Sequence, residues 1–487
     1  MTPVKQNGQR ASLLPKSPTG IQGLDEITGG GLPRGRPTLV AGGAGCGKTL
    51  LAMEFLVNGA VEYDEPGVFV AFEESAEELA QNVTSLGFDL KDLSKHKKLI
   101  IDYVRIERAE IEETGEYDLD GLFIRLGNAI DTLGARRVVL DTLEVLFAAL
   151  SNHAILRAEL QRLFRWLKSK GVTAIVTAER GNGTLTRFGL EEYVADCVIV
   201  LDHRIIEQVS TRRLRIVKYR GSLHGTNEYP FLIGKNGISV LPITSLGLEH
   251  KVPSGRISSG VKELDDMLGG KGFHRGSSIL ISGTAGTGKT SLALSFVDAA
   301  CRRGETCLYF AFEESPSQIL RNMRSIGMDL APHVKKGLLQ FHASRPTVHG
   351  LEMHLVTIYD LIKEHNPEVL VLDPVTDFTA IGSKAEVKAA ITRIIDFLKS
   401  SQITALFTSY VREEDVDTSI TGISSLIDTW ISLRSLENNG EHHRGLFIMK
   451  SRGMAHSNQV RSFQLTGHGI RIGEMDLAGR RTTFNQS

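Results

Sequence analysis

The sequence lacks an excess of either charge, because its 56 lysines and arginines are offset by 57 aspartates and glutamates. Proteins that hold nucleic acid or an anionic membrane over a wide surface usually carry a clear basic excess. The net charge of −1 therefore argues against both partners. A local basic patch, such as one inside a ring-shaped assembly, would still be compatible with this net charge. We expect neither a membrane nor a nucleic acid as a standing partner.

Cysteine is scarce, and the four residues of this type are spaced neither as a disulfide framework nor as a zinc site. Long apolar runs are missing as well, since the chain starts without the apolar core of a signal peptide. No run approaches the roughly 20 apolar residues that span a bilayer. These absences predict a cytoplasmic protein.

What the sequence does contain is a phosphate-binding motif in two copies. Gly42–Thr49 reads GGAGCGKT and Gly283–Thr290 reads GTAGTGKT, and both fit the pattern G-x-x-x-x-G-K-[ST]. Each copy follows a strand-like apolar run, 37–41 or 278–282, and precedes a helical pattern. This is the context that a P-loop requires, so we predict two nucleotide-binding loops.

The residue types of these loops fit ATP and Mg²⁺. Glycines let backbone N–H groups approach the phosphates, and the helix that follows adds its positive end. Lys48 and Lys289 are expected to reach the β- and γ-phosphates, and Thr49 and Thr290 to bind Mg²⁺ through their hydroxyls. The predicted cofactor-binding residues of the loops are Gly42, Gly45, Gly47, Lys48, Thr49, Leu50, Gly283, Gly286, Thr287, Gly288, Lys289, Thr290 and Ser291.

The two copies belong to a long internal repeat. Lys48 and Lys289 are 241 residues apart (289 − 48), whereas Asp141 and Asp373 are 232 apart (373 − 141), so the first copy has a small insertion between these marks. Repeats of this length are duplicated domains rather than solenoid units. We predict a disordered tail at 1–16, an ATPase domain at 17–247, a linker at 248–256, a second domain at 257–476 and a short tail at 477–487.

Within each predicted domain, β-branched runs alternate with helical patterns, one of which is the amphipathic stretch Ala158–Lys168. The predicted strands are 68–72, 137–140, 173–177 and 197–201, and then 307–312, 369–372, 404–408 and 429–433. Continuous apolar strands between helices indicate a mostly parallel sheet that is covered on both faces. The predicted fold class is therefore α/β, with two tandem P-loop NTPase domains.

Carboxylates follow these strands at equivalent places in the two copies. Asp141 and Asp373 each end an apolar strand, as the Mg²⁺-holding aspartate of a P-loop ATPase does, although such an aspartate also serves as a helix cap. Glu73-Glu74 and Glu313-Glu314 follow the strand after each P-loop helix. One glutamate of each pair, for which we favour Glu73 and Glu313, can accept a proton from the attacking water or hydroxyl. The alternative is a pair of solvated acids at a helix start.

Two basic pairs are also equivalent, Lys218 with Arg220 and Lys450 with Arg452. Residues two apart on a strand point to the same face, so each pair could form a cationic fork for a phosphate. Because the P-loop already holds its own γ-phosphate, the fork would serve a neighbouring subunit in the manner of an arginine finger. The alternative is a solvated basic edge that discourages strand pairing.

Together these motifs resemble those of the KaiC family, the double-domain RecA-type ATPases of the circadian clock and their relatives. The resemblance extends from about Ser17 to Phe463 and includes stretches more specific than a P-loop, such as TRRLRIVKYRGSLHG at 211–225 and GLEEYVAD at 189–196. It implies a homohexameric double ring with ATP between subunits, contacted by Lys218, Arg220, His224, Lys450 and Arg452. It further implies slow ATP hydrolysis in the first domain.

In the second domain, the resemblance implies autophosphorylation of adjacent hydroxyl residues and their dephosphorylation. The family's stretch I-S-T-I-T-D corresponds here to ISSLID at 423–428, so the acceptors would be Ser424 and Ser425. An acidic segment, 112–118, lies where the family binds a KaiB-like partner, which makes such a partner conceivable. The short tail after the second domain does not favour a KaiA-like activator.

Three hypotheses follow from the sequence. The leading one is a KaiC-like ATPase and serine autokinase that acts as a timer or signalling hub. A second keeps the ring but makes it a motor on nucleic acid, which the balanced charge disfavours. A third treats the domains as nucleotide-dependent scaffolds.

Overall fold

The computed structural model of the protein describes residues 14–104, 119–147, 153–181, 184–187, 189, 194–206, 209–235, 237–242, 253–411, 423–438 and 441–475. The chain divides into two compact units, Met1–Ser245 and Leu246–Ser487. Most of both predicted tails, the larger part of the predicted linker and the acidic segment 112–118 lie outside the described residues.

The first unit alternates strands and helices over most of its length. Its strands are β1 (Lys16–Ser17), β2 (Leu32–Pro33), β3 (Pro37–Gly42), β4 (Gly67–Ala71), β5 (Leu99–Tyr103), β6 (Arg137–Asp141), β7 (Thr173–Glu179), β8 (Cys197–Ile206), β9 (Val209–Tyr219), β10 (Glu228–Gly234) and β11 (Gly237–Val240). Its helices are α1 (Leu24–Thr28), α2 (Lys48–Glu62), α3 (Ala76–Thr84), α4 (Leu90–Lys95), α5 (Asp120–Leu133), α6 (Leu143–Phe147) and α7 (His153–Ser169).

The second unit repeats this order. Its strands are β12 (Arg256–Ile257), β13 (Phe273–His274), β14 (Ser278–Gly283), β15 (Cys307–Ala311), β16 (Leu339–Ala343), β17 (Val369–Asp373), β18 (Thr404–Tyr410), β19 (Thr429–Asn438), β20 (Glu441–Ser451), β21 (Arg461–Thr466) and β22 (Gly469–Glu474). Its helices are α8 (Lys262–Met267), α9 (Lys289–Arg302), α10 (Pro316–Ser325), α11 (Ala331–Lys335), α12 (Leu351–His365) and α13 (Lys384–Ser400), with 3₁₀ turns at Pro346–Val348 and Val375–Ala380.

Each described unit is built on one nine-stranded sheet. The strand order is β11-β10-β9-β8-β3-β7-β6-β4-β5 in the first unit and β16-β15-β17-β18-β14-β19-β20-β21-β22 in the second. The strands from β8 to β5 are parallel, and β9, β10 and β11 join them as antiparallel strands. The predicted mostly parallel α/β fold is therefore confirmed.

The apolar strands are buried on both faces, as their composition predicts. Val40 and Phe69 pack with the P-loop helix α2, whereas Leu39 and Val68 belong to the cluster on the other face, with α5 and α7. This division follows from the two-residue period of a strand. The predicted amphipathic helix is confirmed as part of α7, which is longer than predicted.

One detail of the sequence interpretation is wrong. The strands after the P-loop helices end at Ala71 and Ala311, one residue earlier than predicted, because Ser75 and Ser315 cap the next helices with capping boxes and the chain bends before them.

The difference in repeat spacing between the two copies arises between β5 and α5. These elements are separated by 16 residues (104–119), whereas β16 and α12 are separated by seven (344–350).

Helix α2 carries a buried carboxylate that couples the stability of the first unit to pH. Glu54 is 3% exposed and accepts a hydrogen bond of 2.8 Å from the backbone N–H of Ile238. Burial raises the pKa of Glu54 to about 8. The folded state therefore keeps a proton that the unfolded state releases above its ordinary pKa, so stability falls as the pH rises from about 4.5 to about 8.

We predict that Glu54→Gln removes this part of the pH dependence. Relative to the parent, the variant should gain about 3 kcal/mol in free energy of unfolding between pH 5 and pH 8, since its amide keeps the acceptor oxygen without the charge. Urea unfolding followed by Trp166 fluorescence, in a Trp430→Phe background, measures the first unit alone. Parallel pH curves for parent and variant would contradict the prediction, and Glu62→Gln on the same helix is the control.

Candidate active sites

The two P-loops connect a buried strand to a helix in the same way. Gly47 and Gly288, the N-caps of α2 and α9, have φ angles of 102° and 99°, which favour glycine. A Cβ on Gly42 would lie 2.6 Å from the carbonyl of Leu201, so the loop can start only with glycine. The loops therefore leave backbone N–H groups at a helix N-terminus, where a phosphate binds.

The P-loop lysines are folded over their own loops. Lys48 Nζ donates to the carbonyls of Gly42 at 2.9 Å and Gly43 at 3.0 Å. Lys289 Nζ does the same with Gly283 and Thr284, at 3.1 and 2.8 Å. Burial lowers the pKa of Lys289 to about 8, against the opposing effect of the Asp373 and Glu313 carboxylates. A bound phosphate would further favour the charged form.

A hydroxyl and a carboxylate meet beside each loop. Thr49 Oγ1 donates to Asp141 Oδ2 at 2.8 Å, and Thr290 Oγ1 donates to Asp373 Oδ2 at 2.8 Å. Mg²⁺ is usually held by one or two such oxygen ligands together with waters and substrate phosphates, so this donor set fits it. Among the described residues, no group of three or more His, Cys, Asp or Glu side chains forms a metal site of another kind.

The two glutamates of each pair have different surroundings. Glu74 accepts from Asn82 Nδ2 at 3.3 Å, and Glu314 accepts from Asn322 Nδ2 at 3.0 Å, which ties both to the next helix. Glu73 instead faces the metal aspartate, and burial, followed by the carboxylates of Asp141 and Glu179, raises its pKa. In the second unit, burial, followed by the carboxylates of Asp373 and Glu313, raises the pKa of Glu314. A raised pKa suits a general base, but the pKa shifts do not select the same member of the pair in both units.

The two sites differ at several positions around the predicted Mg²⁺-binding aspartate. In the second unit, the Tyr309 hydroxyl donates to Asp373 and the Tyr410 hydroxyl donates to Glu313 Oε2 at 2.7 Å. Phe69 and Glu179 hold the corresponding strand positions in the first unit. Asp377 adds a half-buried carboxyl near Glu313, and burial raises its pKa to about 6.

Sequence reasoning missed these tyrosines and Asp377, because they are not repeated in the first copy. It also missed Thr177 and Thr408, whose hydroxyls donate to Asp141 and Asp373. These threonines are repeated 231 residues apart (408 − 177), so a position-by-position comparison of the copies would have found them.

In each basic pair the lysine lies on a strand as predicted, but the arginine does not. Strands β9 and β20 end at Tyr219 and Ser451, so Arg220 and Arg452 belong to the turns that follow. The turns form because Gly221 and Gly453 adopt φ angles of 80° and 73°. The prediction that the two cations share one strand face was therefore wrong.

Both cations of the second basic pair nevertheless donate hydrogen bonds to neighbouring backbone carbonyls. Lys450 Nζ donates to the carbonyl of Ser424 at 2.9 Å, and Arg452 Nη2 donates to the carbonyl of Ser425 at 2.5 Å. Lys399 adds a bond of 3.2 Å to the carbonyl of Leu426. Three cations thus hold the backbone of the predicted acceptor segment, in which Ser424 is half-buried and Ser425 exposed.

In the first unit, the equivalent cations gather around Asp196. Lys168 Nζ lies 2.5 Å and Arg220 Nη1 3.8 Å from its carboxylate. His224 is stacked on Tyr219, the residue before Arg220, with the ring centroids 6.1 Å apart. Asp428 takes the place of Asp196 in the second unit and binds Lys399.

Each basic pair lies at the opposite edge of its sheet from its own P-loop. Lys450 pairs with Trp430, and Trp430 pairs with Leu280, three residues before the loop starts at Gly283. The three residues from Leu280 to Gly283 span about 10 Å along the strand. The two strand spacings between Leu280 and Lys450 add about 10 Å across the sheet. A side chain at this place cannot reach the γ-phosphate of its own loop. In the first unit, Lys218 pairs with Val198 and Val198 with Leu39, which gives the same result.

A cleft of about 430 Å³ adjoins the second P-loop. Its lining includes Ala285, Gly286, Thr287, His443, Arg444 and Phe463. Basic and aromatic side chains beside a phosphate loop suit the remainder of a nucleotide.

The structure brings the predicted loop residues, aspartates and glutamates of each unit together. It places the basic pairs, His224 and the serines away from them.

None of the helices in the described part of the chain combines the length and the apolar character needed to cross a bilayer.

Two tandem P-loop domains, each with a Thr–Asp pair and a glutamate beside a mostly parallel sheet, define an ATPase of the RecA type. A family model described as KaiC ATPase matches residues 17–245 and 257–476. The chain therefore belongs to the KaiC family of ATPases.

Curated relatives agree over most of the chain. The circadian clock protein KaiC2 of Synechocystis sp. strain PCC 6803 is 58% identical over 467 residues, which cover 95% of this chain and 82% of the relative. KaiC3 of the same organism is 38% identical, with 96% of this chain and 93% of the relative covered. The circadian clock oscillator protein KaiC of Parathermosynechococcus lividus is 38% identical, with 94% and 85% covered.

Proposed function

We propose that the protein is a clock-type ATPase and serine autokinase that works as a homohexameric double ring. ATP with Mg²⁺ binds at each P-loop, the first domain hydrolyses it, and the second domain transfers its γ-phosphoryl group to Ser424 or Ser425 of the neighbouring chain. A regulatory timer or signalling hub is the corresponding cellular role, in line with the names of the relatives.

The observation that carries the proposal is the position of the acceptor serines. Their carbonyls contact Lys450 and Arg452, at the sheet edge opposite the P-loop of the same unit. Serines and basic pair can therefore meet only a γ-phosphate held by a P-loop other than that of their own unit, which a neighbouring chain supplies in the proposed ring. Closed rings arise from such head-to-tail contacts when the rotation closes.

In this arrangement, each side chain has a definite role. Lys289 and the loop N–H groups hold the phosphates, and Lys450 and Arg452 of the neighbour neutralise charge on the transferring group. Glu313 accepts the proton of the serine hydroxyl, as Glu73 accepts that of water in the first domain. Thr290 with Asp373, and Thr49 with Asp141, would hold Mg²⁺, which neutralises charge on the phosphates when bound.

Partners of the ring stay predictions. The acidic segment 112–118, proposed for a KaiB-like partner, lies outside the described residues, and a KaiA-like activator is not part of the proposal.

We predict that incubation with Mg-ATP places phosphate on Ser424 or Ser425, measured by phosphopeptide mapping with mass spectrometry. Glu313→Gln should lower the initial rate of phosphoserine formation by about 10²–10⁴-fold, because the amide cannot accept the proton. The repeat supplies the matched control, since Glu73→Gln should lower phosphate release by a similar factor and leave phosphoserine formation intact.

The opposite results are informative. ATP turnover without any phosphoserine would leave a double-ring ATPase and favour a nucleotide-dependent scaffold. Equal loss of both activities in either variant would show that the glutamates act through assembly rather than chemistry.

A further inference from the structure

Tyr410 lies between the two groups of the second site that would handle the γ-phosphate. Its hydroxyl donates to Glu313 Oε2 at 2.7 Å, and Lys289 Nζ lies 4.0 Å from the centre of its ring. A lysine above an aromatic face is stabilised by the ring's negative charge density. One side chain therefore contacts both the P-loop cation and the glutamate.

The structure of strand β18 fixes this position. Tyr410 pairs with Gly283, the first residue of the P-loop, and its backbone N–H donates to Thr376 Oγ1 at 3.2 Å. Burial, followed by the Glu313 carboxylate, raises the pKa of Tyr410. The phenol thus stays protonated at any working pH and remains a donor to Glu313.

The first unit has a carboxylate at the same place. Glu179 pairs with Gly42, and its N–H donates to Glu144 Oε1 at 2.6 Å, so the backbone framework is the same. Its side chain is 45% exposed and lies 3.6 Å from Arg187. Where the second unit presents an aromatic ring, the first presents a partly exposed carboxylate, which adds to the effects of burial and of Asp141 in raising the pKa of Glu73.

From this contrast we propose that Tyr410 is a positioning residue that determines the acceptor in the second domain, favouring a serine hydroxyl over water. Its hydroxyl holds Glu313 in one orientation. Its ring forms an apolar wall that excludes water, whereas Glu179, at the same position in the first domain, admits water. The inference rests on the proposed function, because it concerns which nucleophile the same site uses.

The two reactions differ only in the attacking oxygen. In transfer, the serine oxygen forms a bond to the γ-phosphorus, the bond from this phosphorus to the β–γ bridging oxygen breaks, and ADP leaves with the electron pair. The hydroxyl proton moves to Glu313. With water as nucleophile, the same bonds break and inorganic phosphate forms. Ångström-scale positioning of the base decides between them.

The test compares phosphate release with phosphoserine formation in a Glu73→Gln chain, whose first domain is silenced. Initial rates are measured before phosphoserine turns over. Tyr410→Glu, which installs the residue of the first unit, should raise the ratio of released phosphate to phosphoserine by at least about tenfold when both rates are measured at saturating ATP. Tyr410→Phe keeps the wall but loses the hydrogen bond, and its ratio should lie between the two.

A reciprocal exchange checks the same idea in the other domain. In a Glu313→Gln chain, Glu179→Tyr should lower phosphate release by about tenfold or more. An unchanged ratio in Tyr410→Glu, in a parent that does form phosphoserine, would overturn the inference. A parent that forms no phosphoserine would overturn the proposed function instead, and the Glu179→Tyr exchange would still decide whether this strand position controls access of water.

Discussion

Replacing Arg452 with alanine is expected to lower the rate of phosphoserine formation by about 1,000-fold, the lower end of what an arginine finger contributes. The guanidinium contacts the Ser425 carbonyl in its own chain, at the edge of the sheet remote from its own P-loop. In the proposed ring, its effect is therefore exerted on the nucleotide of a neighbour. Arg302→Ala, an exposed arginine at the end of α9 that pairs with Asp298, is the control and should change the rate little.

Mixed rings give this prediction its sharpest form. Chains with Arg452→Ala keep an intact P-loop, and chains with Lys289→Ala keep an intact basic pair and serines. Assembled together with ATP, they should regain phosphorylation, and a mass tag should show the phosphate on the Lys289→Ala chains alone. If the basic pair acted within its own chain, the mixture would stay as inactive as its components.

Replacing Arg137 with alanine is expected to destabilise the first unit by about 3–5 kcal/mol. This arginine starts β6 and is fully buried, yet its guanidinium donates to Glu65 at 2.7 Å and to the carbonyls of Phe55 and Pro18 at 2.8 Å each. Its removal leaves the two carbonyls without this donor, and leaves Glu65 with Arg34, 3.0 Å away at the surface, and the Ser17 hydroxyl, 3.3 Å away. Such desolvated, unpaired groups are the main cost.

The measurement is urea unfolding followed by Trp166 fluorescence in a Trp430→Phe background. Arg136→Ala removes the exposed neighbouring arginine and should cost less than about 0.5 kcal/mol. The double variant Arg137→Met with Glu65→Gln should recover part of the loss, because it removes both charges and fills the space. A cost for Arg137→Ala no larger than that of Arg136→Ala would contradict the prediction.

The comparison of the two units shows why the role of Arg137 could not be predicted from the sequence. Its counterpart at the start of β17 is Val369, an ordinary strand residue, and the glutamate that matches Glu65 is Glu305. Glu305 pairs instead with Arg275 and Arg303 near the surface. The burial of a charge depends on which donors and acceptors the packing gathers around it, and these lie up to 119 residues apart in the chain.

The sequence by itself determined the class of fold, the duplication and both phosphate loops, because these depend on local patterns: apolar runs of strand length, helical periodicity and glycines at fixed spacing. It also located the aspartates and glutamates, since the carboxyl ends of parallel strands meet at one edge. Only the tertiary structure decided that Arg452 lies in a turn and that the second basic pair contacts the backbone of the predicted acceptor serines, across the sheet from its own loop. Strand register fixes that separation, and register depends on pairings between residues far apart in the chain. For the same reason, the contact of Tyr410 with Glu313 and Lys289 emerged only when three distant strand ends were brought together.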